Sequence, residues 1–326
     1  MSAAADLIRI AGDARTVAVS GHVRPDGDCV GCCMAAALYL EKVCPQLKAD
    51  ILLESVPEEL VGNIPYTERI LTDRAAARDQ YDLFLCVDTA PERLGCFRDL
   101  FDSAGRTANI DHHISNRGGG MVNVIDPAAG SACEVLYTLM DPAQIDRDIA
   151  VSLYVGIVTD TGVFRYSSTS PETHRIAAAL LEHDFDHASI VRDVFYVKSF
   201  ARNKVMGAAL MSAQSRLGGR LITCMLSAAQ REACGATEAD VDGISAQMAL
   251  TRGADCAILA SETADGNWRC SLRSNGITDV SVIAAQFGGG GHQRAAGCTV
   301  SGDAEDILLE MECLAAMQLE SAVPRI

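Results

Sequence analysis

The stretch GHVRPDGD, residues 21–28, decides how this chain is organised. It follows a short β-branched apolar run that predicts a buried strand over residues 16–20. It precedes a run of small apolar residues that predicts a buried helix from Cys29 onward. Pro25 fixes φ, and Gly27 permits a tight bend in the turn between the two elements. Turns at the carboxyl ends of parallel strands are where open α/β sheets bind ligands, so this turn predicts a binding site.

The polar side chains of this turn have two interpretations. An aspartate before a helix is usually an N-cap, which would account for Asp28 but leaves His22 and Asp26 without a role. One histidine and two aspartates within seven residues are instead suitable ligands for Mn²⁺, Mg²⁺ or Fe²⁺. We favour the metal interpretation on the condition that further ligands follow downstream.

The overall composition indicates an ordinary globular protein. A length of 326 residues predicts two domains, and the apolar fraction of 49% and charged fraction of 21% are typical of soluble chains. Residues 1–13 lack the basic and apolar regions of a secretory signal, and no apolar run approaches the roughly 20 residues of a spanning helix. We therefore expect a cytoplasmic protein that does not engage a membrane.

The charge and the cysteines narrow the class of protein further. A formal net charge of −16 disfavours a long basic track for nucleic acid, although a few arginines can still hold a small anionic substrate. The 13 cysteines are scattered through apolar runs, which indicates reduced core residues. Cys29 and Cys32 form a CxxC one helical turn apart, and we interpret this pair as packing rather than as a zinc or redox site.

The N-terminal half alternates between apolar strands and helices. This alternation predicts an α/β fold with a mainly parallel, doubly wound sheet. The predicted strands are residues 16–20, 50–54, 83–87, 107–110 and 122–125. The predicted helices are residues 29–43, 131–140, 148–158 and 171–183.

The regular alternation stops near residue 186, and this change defines the expected domains. We predict a metal-binding catalytic domain over residues 1–185, a helical connector over 186–204 and a smaller mixed α/β domain over 205–326. In the last of these, strands on either side of Gly218 and Gly219 predict a hairpin, and a second strand pair flanks the turn at 264–267. A helix over 279–287 and a strand over 295–300 follow.

Three later segments repeat the pattern of the opening turn. Asp88 follows a predicted strand, the run DHH at 111–113 follows another, and Asp160 ends an apolar helix. Any one of them is explained as an ordinary turn residue. Together with the first turn they place five aspartates and three histidines at element ends. Burying five carboxylates side by side is very unfavourable without cations, so the set predicts two divalent ions.

These motifs resemble those of the DHH phosphoesterase superfamily, whose members include RecJ-type exonucleases, type II inorganic pyrophosphatases, cyclic-di-AMP phosphodiesterases and nano-RNases. The second half resembles the DHH-associated substrate domain. The motifs of the first half are His22-x-x-x-Asp26-x-Asp28, Asp88, Asp111-His112-His113 and Asp160. Those of the second half are the run SLRS at 271–274 and the run GGGGHQRAAG at 288–297. The resemblance therefore spans nearly the whole chain, with the motifs in the family's order.

The resemblance implies two divalent metal ions, with Mn²⁺ as the first choice and Mg²⁺, Co²⁺ or Fe²⁺ as alternatives. The implied ligands are His22, Asp26 and Asp88 for one ion, and Asp28, Asp88, His112 and Asp160 for the other. Asp88 then bridges the two ions. The implied catalytic residues are Asp88, Asp111, which orients a histidine, and His113, which faces the substrate phosphate as a donor or general acid. The implied reaction is hydrolysis by hydroxide that the two metal ions activate.

The resemblance also implies a substrate-gripping role for the second domain, across a cleft from the catalytic domain. The implied substrate-binding residues are Arg273, Ser274, Gly289, Gly290, Gly291 and His292. Arg294, Arg165 and Tyr166 receive no role, and Phe164 is expected in the core. Because one domain would hold the end of a substrate that the other cuts, we expect a preference for short substrates.

The function that fits best is a metal-dependent phosphodiesterase acting on RNA of two to five nucleotides, with removal of the 3′-phosphate of 3′-phosphoadenosine 5′-phosphate (pAp) as a second activity. The alternative is a soluble phosphodiesterase for cyclic-di-AMP or linear pApA. A RecJ-type exonuclease, a type II pyrophosphatase and a catalytically silent nucleotide-binding protein fit less well. A homodimer is compatible with the sequence.

Overall fold

The computed structural model describes residues 4–321, with side chains from residue 7 onward. The chain divides into two compact units, one ending at Val197 and the other beginning at Lys198. This division lies inside the connector predicted over 186–204, and Val205 already lies within a helix of the second unit. Among the described residues, no helix has both the length and the apolar character needed to span a membrane.

The first unit contains a six-stranded sheet in which every neighbouring pair is parallel, in the order β3-β2-β1-β4-β5-β6. The predicted parallel α/β sheet is therefore confirmed. The strands are β1 (Thr16–Ser20), β2 (Lys48–Leu52), β3 (Ile70–Leu71), β4 (Leu83–Val87), β5 (Arg106–Asp111) and β6 (Val122–Ile125).

One strand lies two residues earlier than predicted. The prediction was 50–54, whereas β2 is Lys48–Leu52. Its bounds follow from its partner, because Lys48 pairs with Thr16 and Leu52 pairs with Ser20, the two ends of β1. The two-residue strand β3 was not predicted, since so short a segment has no periodicity to detect.

Over residues 4–197, the described part of the first unit, seven α-helices pack around this sheet. The helices over 29–43, 131–140, 148–158 and 171–183 were predicted, and their observed bounds differ by three residues or fewer. The helices are α1 (Ala4–Ala11), α2 (Gly27–Val43), α3 (Arg98–Ser103), α4 (Ala132–Thr138), α5 (Arg147–Asp160), α6 (Pro171–Leu181) and α7 (His187–Val191). A single π-helical turn, Arg192–Tyr196, continues α7.

Both faces of the parallel sheet are buried, as its apolar strands require. Val17 and Val19 of β1 belong to the core that contains α2 and α5. Ala18, between them, belongs to a second cluster with Phe84 and Phe101 on the opposite face. Helices α2 and α5 approach so closely that a Cβ on Gly31 would lie 2.4 Å from the Ser152 carbonyl oxygen.

The strand order explains where a site can form. The chain proceeds from β1 to β2 and β3 in one direction, then returns to β4 beside β1 and continues to β5 and β6 in the other. Ligands of open α/β sheets bind at such a switch point, outside the carboxyl ends of the strands. The residues after β1 and β4 are the GHVRPDGD turn and Asp88.

The second unit contains a mixed sheet in the order β11-β12-β10-β9-β8-β7. Only β8 and β9 pair in parallel, and the two predicted antiparallel pairs, β7 with β8 and β9 with β10, are present. The strands are β7 (Gln214–Arg216), β8 (Leu221–Leu226), β9 (Cys256–Glu262), β10 (Trp268–Ser274), β11 (Gly290–His292) and β12 (Ala295–Val300). The helices are α8 (Phe200–Ser212), α9 (Ala228–Ala233), α10 (Ile244–Ala249), α11 (Val280–Gln286) and α12 (Ala304–Ser321).

Helix α12 was not predicted, although the sequence carries a signal for it. Its buried residues include Ile307, Met311, Ala315 and Leu319, which recur every fourth position and form one apolar face. Three of them join α11 and the sheet in one core, and α8 and α10 cover a second core of the same unit.

Candidate metal centre

The capping residue of the GHVRPDGD turn differs from the one that the N-cap interpretation named. The N-cap of α2 is Asp26, not Asp28, because its Oδ1 accepts the backbone N–H groups of Asp28 and Cys29, each at 3.1 Å. Asp28 lies in the first turn of the helix and is fully buried. The cap therefore explains the orientation of Asp26 and leaves Asp28 for another contact.

The left-handed residue of the turn is Arg24, with φ of 55°, so the bend does not depend on Gly27. Gly27 instead begins α2 at a point of close approach to α5. A Cβ there would lie 2.3 Å from Cγ2 of Thr159, the residue before Asp160. A glycine at this position thus lets the two helices bring their polar ends together.

Asp88 lies at the centre of the polar cluster, where its two carboxylate oxygens face the two histidines of the implied ligand set and Nδ1 of His113 lies 3.7 Å from Oδ1. Its Oδ2 is 3.3 Å from Nε2 of His22, and its Oδ1 is 3.6 Å from Nε2 of His112. The residue is 2% exposed and has φ of 56°, a left-handed conformation that is uncommon outside glycine. Such strain persists where the surroundings impose it, commonly at functional sites.

The remaining implied ligands divide between the two histidines. Oδ1 of Asp26 is 3.8 Å from Nε2 of His22. On the other side, Nε2 of His112 is 3.2 Å from Oδ2 of Asp160 and 4.0 Å from Oδ2 of Asp28. The structure therefore brings all six implied ligands together, in two groups that share Asp88.

Both histidines present the same nitrogen to the cluster. Nδ1 of His22 donates to the Val23 carbonyl at 2.9 Å, and Nδ1 of His112 donates to the Ala129 carbonyl at 3.3 Å. Because a carbonyl oxygen only accepts, these bonds assign the proton to Nδ1. The lone pair of Nε2 is then free for a metal ion, as in many histidine ligands.

Asp28 has a contact that the sequence did not suggest. Its Oδ2 accepts the N–H of Ala132 at 2.6 Å, and its Oδ1 accepts the N–H of Cys133 at 3.0 Å. Both donors belong to the first turn of α4, where backbone N–H groups have no partner within the helix. Asp28 therefore joins the start of α4 to the polar cluster.

Asp111 orients His113 rather than His112. Its Oδ1 accepts from Nδ1 of His113 at 2.7 Å and from the backbone N–H of His112 at 2.7 Å. The imidazole of His113 is 40% exposed, so it lies at the open side of the cluster. Burial opposes ionisation of Asp111, but the hydrogen bonds from His113 and Asn116 lower its pKa below the usual value.

Two asparagines that support Asp111 were missed in the sequence. Asn116 donates to Oδ2 of Asp111 at 2.5 Å and to Oδ1 of Asn109 at 2.8 Å. Asn109 in turn donates to the Thr89 carbonyl at 2.7 Å, next to Asp88. The available signal was an amide side chain in the middle of the buried strand β5, because buried polar groups require partners.

The residues present fit a pair of cations. Oδ1 of Asp88 and Nε2 of His112 are both buried, and neither has a hydrogen-bond partner among the described residues. Unpaired buried polar atoms are costly, and a bound ion is one of the few ordinary explanations for them. An ion between these atoms would satisfy both, with the mixed nitrogen and oxygen ligands that Mn²⁺ or Fe²⁺ accepts.

The pKa shifts in the cluster result from the close packing of buried carboxylates. Burial, followed by the charge of Asp28, raises the pKa of the Asp88 carboxyl well above its usual value and that of Asp160 to about 8. For His22, burial lowers the pKa, but hydrogen bonds that the protonated ring donates to the carboxylates of Asp26 and Asp88 outweigh it and raise the pKa to about 11. Without cations, the crowded carboxylates thus retain protons or share them with histidine.

Cys29 lies beside His22 and Asp88, with all three possible ligand atoms within 4.8 Å of one another. Its side chain is fully buried, and burial raises the pKa of the thiol well above its usual value. A thiol in such surroundings stays protonated and inert. The predicted packing role of Cys29 is consistent with this environment.

The metal-free protein is expected to lose stability as the pH rises from 6 to 8. Asp160 has a folded pKa of about 8, against roughly 3.9 when unfolded. Between these two values the folded state holds a proton that the unfolded state has released, so stability falls as the pH rises. The raised pKa of His22, about 11, acts in the same direction, because its contribution is complete below roughly pH 6.5 and declines above it.

Thermal unfolding in EDTA and in Mn²⁺ at several pH values would check this. We expect the melting temperature in EDTA to fall between pH 6 and 8, and the increase on adding Mn²⁺ to be larger at pH 8. A melting temperature in EDTA that rises over the same range would contradict the assigned pKa shifts.

In the second unit, Arg273 lies on the wall of a polar cavity of about 790 Å³. Arg269 and Ser271 line the same cavity, because alternate residues of β10 share one face. Nη1 of Arg273 donates to the Leu272 carbonyl at 3.0 Å, and Arg269 lies 3.6 Å from a carboxylate oxygen of Asp242. Arg269 was missed, although the strand's two-residue period could have identified it.

The other implied substrate residues occupy different places. Gly289 lines the cavity, and a Cβ there would lie 2.2 Å from the Gly297 carbonyl oxygen, so only glycine fits. Gly290, Gly291 and His292 form the exposed edge strand β11. Ser274 is 4% exposed, and its hydroxyl accepts the N–H of Gly276 at 3.3 Å, which gives it a place in a turn rather than on the cavity wall.

The turn after Asp160 contains the residues without an assigned role. The Arg165 guanidinium lies 5.7 Å from the centre of the Tyr166 ring. Phe164, expected in the core, is half-buried and stacks on His174 with ring centres 5.0 Å apart. Tyr166 is exposed.

Two family models match the chain, one within each of its two compact units. The family model described as "DHH family, N-terminal domain" matches residues 16–157, and the model described as "DHHA1 domain" matches residues 223–314. The chain is 30% identical over 288 residues to the bifunctional oligoribonuclease and PAP phosphatase NrnA of Thermus thermophilus, covering 87% of this chain and 84% of that protein.

Two further proteins are similar over nearly the full length. The probable bifunctional oligoribonuclease and PAP phosphatase NrnA of Streptococcus mutans is 28% identical, over 92% of this chain and 94% of that protein. The crystal structure of an exopolyphosphatase-related protein from Bacteroides fragilis superposes with a TM-score of 0.86 at 23% identity, covering 97% and 96% of the two chains. The latter likeness establishes the fold.

Proposed function

This chain belongs to the DHH family of phosphoesterases and is a hydrolase of phosphoric esters, and we propose that it degrades RNA of two to five nucleotides to mononucleotides. Removal of the 3′-phosphate of pAp is proposed as a second activity of the same site. The observation that carries the proposal is Asp88, whose two carboxylate oxygens face separate histidines with Oδ1 unpaired. The similarity to NrnA proteins supports the choice of substrate.

The proposed metal ligands are His22, Asp26 and Asp88 for one ion, and Asp28, Asp88, His112 and Asp160 for the other. Two divalent ions at these positions, with Mn²⁺ as the proposed metal, would lower the pKa of a water molecule and neutralise charge on the phosphate oxygens. Asp88 would hold the two positions at a fixed separation, and the Nδ1–H bonds of His22 and His112 would keep both Nε2 atoms aimed at the cluster.

His113 is the proposed donor to the phosphate. Its Nδ1 is held by Asp111, so the opposite nitrogen, Nε2, is available to a substrate at the open side of the cluster. With a proton on each ring nitrogen, His113 donates from Nδ1 to Asp111 and can donate a hydrogen bond or a proton from Nε2 to a developing oxyanion. Asn116 and Asn109 keep Asp111 in place for this role.

Residues 1–185 are thus proposed as the catalytic domain and residues 205–326 as the substrate-binding domain. Arg273 and Gly289 would hold a terminal phosphate in the polar cavity, because a guanidinium matches phosphate geometry and a glycine lets the backbone approach an anion. The net charge of −16 would repel long RNA, while a small anion needs only this local group.

Chain length gives the most direct test of the proposal. We expect turnover in Mn²⁺ to be at least about tenfold faster on an RNA dinucleotide than on a single-stranded twenty-mer of the same bases, because steric fit and charge repulsion both disfavour the longer chain. Product formation per enzyme would be compared at equal concentrations of cleavable ends. Equal rates on the two substrates would contradict the proposal.

A parallel assay separates the remaining functions. Dinucleotide RNA, pApA, cyclic-di-AMP and pAp would be incubated with the enzyme and Mn²⁺, with EDTA as the control. Fastest hydrolysis of dinucleotide RNA, with AMP released from pAp, supports the proposal. Fastest hydrolysis of cyclic-di-AMP would favour the alternative, and no product from any substrate would indicate a catalytically silent protein.

We also propose a cytoplasmic location. The 13 cysteines are all free thiols, which suits the reducing environment of the cytoplasm. A homodimer stays a prediction, which light scattering of the purified protein would test.

A further inference from the structure

Glu134 is a buried acid that the proposed mechanism does not use. It is 3% exposed, and its Oε2 accepts the N–H of Gly130 at 3.2 Å, while Oε1 has no partner among the described residues. The side chain lies against Gly130 so closely that a Cβ there would be 2.7 Å from Oε1. Burying a carboxylate is unfavourable in free energy, which indicates that Glu134 has a role in the surrounding structure.

The peptide group between Ala129 and Gly130 connects this acid to the metal cluster. Its N–H donates to Glu134, and its carbonyl oxygen accepts from Nδ1 of His112. Because the peptide group is planar, the orientation of one end determines that of the other. The carboxylate of Glu134 thus acts on the imidazole of His112 through a single rigid unit.

The start of α4 leaves Glu134 free for this contact. In an ordinary capping box the third helical residue accepts from the N-cap backbone, which here is Ser131. Glu134 accepts instead from Gly130, one residue earlier, while Ser131 still caps the N–H of Glu134 at 3.1 Å. The N–H groups of the first two helical residues, Ala132 and Cys133, donate to Asp28. The sequence SACE at 131–134 carried the capping-box signal, but not this departure from it.

We propose that Glu134 is a positioning residue for the metal ligand His112. By holding the Ala129–Gly130 peptide, it keeps Nδ1 of His112 protonated and aims Nε2 at Asp88 and Asp160. Other metal sites use a carboxylate bonded directly to the histidine for this purpose. Here one peptide group stands between them. The inference rests on the metal centre of the proposed function.

Metal binding provides the test, independently of any substrate. Mn²⁺ would be titrated into the metal-free wild type and into Glu134→Ala, with binding followed by calorimetry and by the magnetic coupling of the two ions in electron paramagnetic resonance. The tautomer of His112 in the metal-free protein would be read from imidazole ¹⁵N shifts. Glu172→Ala, on the exposed face of α6, is the matched control.

We expect Glu134→Ala to weaken one of the two Mn²⁺ sites by about 10–100-fold and to remove the coupled signal, with the other site unchanged. The ¹⁵N shifts should show His112 in mixed tautomers. Glu172→Ala should bind both ions as the wild type does. Normal Mn²⁺ affinity in a folded Glu134→Ala would overturn the proposal, whereas a wild type that binds no Mn²⁺ would overturn the proposed function itself.

A second pair of variants decides the matter if Glu134→Ala does not fold. Glu134→Gln keeps an acceptor at the same reach without the charge, and Glu134→Asp keeps the charge but is one methylene shorter. The proposal requires Glu134→Gln to bind Mn²⁺ at the site that contains His112 more tightly than Glu134→Asp does. The opposite order, or wild-type affinity in both, would show that the contact to Gly130 does not position His112.

Discussion

Replacing Asp88 with asparagine should lower kcat by about 10³-fold or more on an RNA dinucleotide. The substitution removes the carboxylate whose two oxygens face His22 and His112, and with it the proposed ligand shared by two metal ions. A catalytic metal contributes several kcal/mol of transition-state stabilisation, and each roughly 1.4 kcal/mol corresponds to a tenfold change in rate. Asparagine is chosen because it tolerates the left-handed backbone that Asp88 adopts.

A second left-handed aspartate supplies the matched control. Asp184 has φ of 51° and is exposed, so Asp184→Asn makes the same chemical change in the same backbone conformation away from the cluster. Its kcat should equal that of the wild type. We also expect Asp88→Asn to melt no earlier than the wild type in EDTA, because it removes a carboxyl group from a crowded buried cluster. A near wild-type rate of Asp88→Asn in saturating Mn²⁺ would refute the bridging role.

Replacing Arg273 with alanine should raise KM for a dinucleotide with a terminal phosphate by about 10–100-fold, with a much smaller effect on kcat. A hydrogen bond to a charged group contributes about 1.5–3 kcal/mol, which corresponds to this range at roughly 1.4 kcal/mol per tenfold. The effect falls on KM because Arg273 lies in the cavity of the second unit and not among the metal ligands.

Two comparisons make the Arg273 experiment specific. Arg273→Lys keeps the charge but loses the planar fork of the guanidinium, so its KM should lie between those of the wild type and Arg273→Ala. Arg216→Ala removes an exposed arginine from β7 of the same unit and should leave KM unchanged. An unchanged KM in Arg273→Ala would show that the cavity does not hold the substrate phosphate.

The elements that carry the site were largely predictable because their signals are local. Strand β1, strand β4 and helix α5 are apolar runs that end in polar residues, and each observed element ends within two residues of its prediction. Because such runs must be buried, their polar ends must meet at an edge of the sheet. The measured distances around Asp88 agree with that reasoning.

Supporting residues were harder to predict, since their roles depend on distant segments. Asp28 bonds to the start of α4, about a hundred positions away, and nothing near Asp28 indicates that partner. The same holds for Glu134, which acts on His112 through a peptide of a loop between them. Asp26, rather than Asp28, is the N-cap because the helix begins at Gly27, two residues before the apolar run that starts at Cys29.

The sequence by itself determined the chemistry of this protein. Residue type and local periodicity specify the aspartates and histidines, their positions at element ends and the parallel α/β sheet that gathers them. Only the tertiary structure decided how they are used: that the two oxygens of Asp88 face different histidines, that Asp111 holds His113, and that Asp28 secures α4. The physical reason is that ligand type is a property of each residue, whereas the direction of a carboxylate depends on strand order and on helices packed from remote parts of the chain.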